Sequence, residues 1–70
     1  MISTERIREA KKDFMNKDSH KLLSLMGLYA REAEINYSAN QIEKYENADV
    51  NYYAIFAILD ERLTEMEEKE

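Results

Sequence analysis

The stretch Ile42–Met66, IEKYENADVNYYAIFAILDERLTEM, decides the fold. Within it Ile42, Tyr45, Asp49, Tyr52, Phe56, Leu59, Leu63 and Met66 recur at spacings of three and four, and a helix brings residues so spaced onto one stripe. Asp49 is the single polar interruption. Such a stripe faces other helices, so it predicts a packing or oligomerisation surface. It implies no reaction.

The rest of the chain is helical in pattern as well. There is no proline, and Gly27 is the one glycine, so no glycine turn marks a β-hairpin. Ser3 can cap a first helix over about 4–16, with Ile2 and Ile7 as a hydrophobic staple. Its apolar stripe is Ile7, Ala10 and Phe14, with Met15 alongside. Asp18 or Ser19 can cap a second helix over about 19–36. Leu22, Leu25, Met26, Tyr29 and Ala33 form its main stripe, and Leu28 with Ile35 a second one, which predicts a central position for this helix. Gly27, Ala30 and Ala33 are small residues at spacing three that would let a neighbour approach closely.

Ser38 and Gln41 have capping-box spacing, with Tyr37 and Ile42 as staple, so a further helix is expected from Ser38. Asn47, Asp49, Val50 and Asn51 are poor helix formers, and Asp49 can cap a new helix. The favoured reading therefore breaks this region into helices over about 39–47 and 49–68, the alternative being one kinked or continuous helix. The expected architecture is an all-α bundle of three to four helices in one domain, its acidic tail fraying from about residue 67.

A 70-residue chain buries only about 60% of its unfolded surface, so its hydrophobic gain and conformational entropy nearly cancel. Without cysteine there are no disulfide staples. Extra burial in a homodimer is the expected remedy. Nothing implies a cofactor. No basic leader followed by an apolar core opens the sequence, and the longest apolar run, Tyr52–Leu59, is far short of the ~20 residues of a membrane span. These features predict a cytoplasmic protein without membrane contact.

Residues 1–35 hold seven Lys/Arg and six Asp/Glu, net +1, and residues 36–70 hold three and nine, net −6. An acidic second half argues against direct binding to nucleic acid, which is held by Lys and Arg.

No constellation for catalysis emerges. Asp18, Ser19 and His20 are sequence neighbours whose side chains point apart, whereas a nucleophilic triad is assembled from separated positions. The carboxylates near the C-terminus lack the apolar surroundings that make a general acid. The only histidine follows Lys17 at spacing three, not the glutamate of a di-metal bundle.

Tyr45, Tyr52 and Phe56, with Leu59, Leu63 and Met66, are therefore read as core, dimer or partner interface. If the stripe forms a parallel coiled coil with Ile42 at heptad position a, Arg62 falls at g and Glu67 at e, so that Arg62 can meet Glu67 of a partner chain. The function expected is a small non-enzymatic regulator or adaptor that binds protein through a tyrosine-rich helical surface. The alternative is an acidic inhibitor that imitates nucleic acid, presenting Glu43, Glu46, Asp49, Asp60, Glu61 and Glu65 to a basic groove.

Overall fold

The structure, a computed structural model, describes residues 3–68. Three helices, α1 (Thr4–Phe14), α2 (Ser19–Ser38) and α3 (Ile42–Glu68), make an all-α bundle, 45 × 23 × 18 Å in extent. Ser3 caps α1, accepting from the Arg6 amide at 3.2 Å, and Asp18 caps α2, accepting from the Lys21 amide at 2.8 Å. Both caps are those the sequence offers. The staple at Ile2 lies outside the described residues, as do positions 69–70, while Glu67 and Glu68 belong to the last turn of α3.

The α2–α3 connection differs from expectation. Ser38 ends α2 and does not begin α3. Asn40 takes φ 60°, and its amide donates to Tyr37 O (3.1 Å) while the Gln41 amide donates to Asn36 O (2.8 Å). These two bonds are the Schellman closure, with asparagine in the left-handed position usually held by glycine. The chain spends Ala39–Gln41 on this reversal, so the Ser38–Gln41 capping box is not used.

Helix α3 then runs unbroken from Ile42 to Glu68, and the favoured break at Asp49 is absent. Tertiary contacts outweigh local propensity here. Ala48, Val50 and Ala54 are buried, and Asn47 accepts from the Arg6 guanidinium at 2.7 Å. A helix with anchors on both sides of residue 49 does not need to restart there.

The middle of the bundle is α3, not α2: α3 packs against both other helices. Arg6 meets Glu46 (3.6 Å) and Lys11 meets Glu61 (2.6 Å), so α1 runs parallel to α3. Tyr37 meets Tyr45 at one end of α2, and Ser19 meets Arg62 at the other, so α2 is antiparallel to it. The core joins Phe14, Leu22, Ala54, Ile55 and Ile58, with Ile7, Ala10, Leu25, Met26, Tyr29 and Leu59 against it. Phe14 and Tyr29 make an edge-to-face ring pair at 6.0 Å. Among the described residues only Leu22 and Ile55 are both large and fully buried. The core is thin.

Candidate functional site

The core uses Ala48, Ala54, Ile55 and Ile58 of α3, not the aromatic stripe. Each residue turns a helix by ~100°, so Phe56 lies a quarter-turn round from Ile55. Phe56 is 51% exposed, Leu63 56% and Met66 65%, while Tyr45, Tyr52 and Leu59 are half-buried. Of the stripe, Leu59 alone packs directly against the core cluster. Ala48, Ala54, Ile55 and Ile58 take the face of α3 turned to its neighbours, and the rings fall on the next face round.

That face is shared with α2. At ~100° per residue, Leu23, Gly27, Ala30 and Tyr37 lie on one flank of α2, about 60° to 140° round from the buried Leu22. Tyr45, Tyr52, Phe56 and Leu63 lie 60° to 100° round from Ile55 in the same sense. In antiparallel neighbours equal senses fall on the same side of the pair. The side is marked directly by contacts at both ends. The Tyr37 and Tyr45 rings meet edge to face at 5.2 Å, and at the other end Leu23, Leu59, Leu63 and Met66 line an open groove with Ser19 and Arg62. Helix α1 covers the opposite side, where Phe14 touches Tyr29 and Lys11 touches Glu61. The α2–α3 hairpin thus has α1 packed on the α3 half of one face, where Leu28 and Ile35 of α2 stay 48% and 59% exposed, and, among the described residues, no helix at all on the other, open face.

The open face is apolar with few charges. Leu23 and Tyr37 are 54% and 64% exposed. A Cβ built on Gly27 meets nothing within 4 Å, so the centre of the α2 flank is open surface. Tyr52 and Tyr53 pack edge to face at 5.4 Å. The neighbouring Asp49 carboxylate, followed by burial and then by Tyr37, Tyr53 and Glu46, raises the Tyr45 phenol above its ordinary 10.0.

The carboxylates of the alternative reading do not gather on one face. Glu46 and Glu61 point to α1 and pair with Arg6 and Lys11. At ~100° per residue Asp49 and Asp60 flank the open face, whereas Glu43 and Glu65 lie more than 90° away from them. The distribution also separates the helices by charge. Helix α2 carries Lys21 and Arg31 against Glu32 and Glu34 and is neutral, while α3 carries two cations and eight carboxylates, net −6.

Arg62 turns inward instead of presenting its guanidinium for a pair between chains. Its guanidinium donates to Lys17 O (2.8 Å), Met15 O (3.1 Å) and Ser19 Oγ (2.9 Å), tying α3 to the α1–α2 turn. A polar residue flanked by Ile58 and Leu59 on the buried side of α3 was the available signal.

His20 is exposed in the first turn of α2. Among the described residues no three His, Cys, Asp or Glu side chains gather as a metal site, and no helix is long and apolar enough to cross a membrane. No family model, curated protein or solved structure matches the chain.

Proposed function

We propose that this protein is a small non-enzymatic regulator or adaptor that binds protein through the open α2–α3 face. One observation carries the reading: Leu23, Tyr37, Phe56, Leu63 and Met66 stand about half exposed or more on the side that α1 leaves bare. Water-facing apolar surface of this extent is costly to a small domain and typical of an interaction site. The tyrosines suit it, since a ring can be buried while its hydroxyl stays wet. The acidic mimic draws less support, because its carboxylates are spread round α3 and two are engaged by α1.

The test is affinity capture from a lysate of the source organism with three baits: the wild type, Phe56→Asp, and the reversal Glu43→Lys/Asp60→Lys. A binding face of this kind predicts a captured protein that is lost with Phe56→Asp, retained with the charge reversal, and retained at high salt, where surface charge is screened. Loss on charge reversal and at high salt, with Phe56→Asp silent, would replace this reading by the mimic.

A further inference from the structure

We propose that a second copy of the chain closes the open face, with α3 of each protomer lying over α2 of the other. The inference rests on the open face being a binding surface and names what occupies it.

Area gives the first argument. The chain exposes 5393 Å², whereas a compact protein of 8.3 kDa exposes about 4,600 Å². The excess of about 800 Å² belongs to the whole elongated chain; a stable interface takes about that area from each partner.

Symmetry and charge give the second. Two like faces pair about a two-fold axis lying between them, and two directions are open to it. An axis across the helices stacks α3 on α3, net −6 against net −6. An axis along the helices sets α3 over the neutral α2 of the other protomer, in antiparallel contact throughout, as in a four-helix bundle. Repulsion disfavours the first. In the second, Glu34 and Asp49 still come to similar levels at the tyrosine end, so added salt should tighten the pair.

Shape gives the third. Tyr37 is level with Tyr45, and Ser19 with Arg62. The same register sets Phe56 level with Leu25 and Met26, and Tyr52 level with Tyr29 and Ala30. Rotation about an axis along the helices preserves these levels. The exposed Phe56 ring then meets the partner's α2 flank between Leu23 and Gly27, where no side chain projects from Gly27, and Tyr52 meets the partner's Ala30. A heterologous partner must displace this second copy, so self-association sets the concentration at which the face becomes free.

The chain has no cysteine, so single-cysteine variants report contacts cleanly. Sedimentation equilibrium of the wild type should give a mass near twice 8.3 kDa, with association tightening as salt rises. An oxidised mixture of Gly27→Cys and Phe56→Cys should trap the mixed disulfide, and Phe56→Cys alone should trap far less; Ala30→Cys with Tyr52→Cys repeats the test without removing the Phe56 ring. A dimer that traps Phe56→Cys with itself and not with Gly27→Cys would overturn the arrangement. A mass of one chain at millimolar concentration would overturn the second copy altogether, and capture by the wild-type bait but not by Phe56→Asp would then show that the face still binds another protein.

Discussion

The Arg62 guanidinium donates to the Lys17 carbonyl at 2.8 Å across 45 residues of sequence. With its bonds to Met15 O and Ser19 Oγ, it fastens the C-terminal half of α3 to the turn where α1 ends and α2 begins. Arg62→Ala should destabilise the fold by about 2 kcal/mol, the range for hydrogen bonds from a charged donor. Arg62→Lys should recover little, because a single ammonium cannot span three acceptors held by a planar fork. Urea unfolding of both variants checks this, and a lysine variant equal to the wild type would show that charge alone suffices.

Asn40 holds the left-handed position between α2 and α3. Asn40→Gly should be neutral or stabilise by up to ~1 kcal/mol, because it removes the Cβ that opposes that conformation, and Asn40→Ala should destabilise by about 1 kcal/mol, because alanine keeps the Cβ and loses the short polar side chain that makes asparagine tolerant of it. Thermal unfolding of the pair reads the difference. Equal stability would mean that the reversal does not constrain the fold.

Asp49 lies inside α3, about two turns from its start. As a helix-interior residue, Asp49→Ala should stabilise by a few tenths of a kcal/mol, following helix propensity. A cap would respond with a loss of about 1 kcal/mol. A measured loss of that size would restore a break at residue 49.

These two sites also mark how far the sequence could be read. The all-α class, the Ser3 and Asp18 caps and most of α1 and α2 followed from short-range patterns, because capping and amphipathic spacing are local properties. The continuity of α3 did not, since Asn47, Asp49 and Asn51 are held helical by α1 and by burial of their neighbours. The asparagine-closed turn was hidden because Ser38 and Gln41 offered a competing local solution. At the candidate site, the stripe from Tyr45 to Met66 was visible, but its separation from the true core line through Ile55 and Ile58 was not. Both lines have helical spacing, and only the placement of α1 and α2 chooses between them.

Tyr45 gives a pH prediction. Its folded pKa is raised, chiefly by Asp49. The folded state therefore holds the phenolic proton more tightly than the unfolded chain does. The resulting stability is complete below the unfolded pKa of about 10 and is lost as pH rises through the higher folded value. Tyr45→Phe should flatten the decline in melting temperature above pH 10, and Asp49→Asn should flatten it partly. An unchanged alkaline profile in both would remove Tyr45 as its source.

The central claim is that the α2–α3 face is covered in the functional protein, and the dependence of melting temperature on protein concentration tests it most directly. Binding between folded copies raises stability by mass action. The wild-type melting temperature should climb across a hundredfold rise in concentration, while Phe56→Asp, which alters a half-exposed ring, should keep its helical content and melt at one temperature throughout. A wild-type midpoint that stays constant, matching that of Phe56→Asp, would contradict the account.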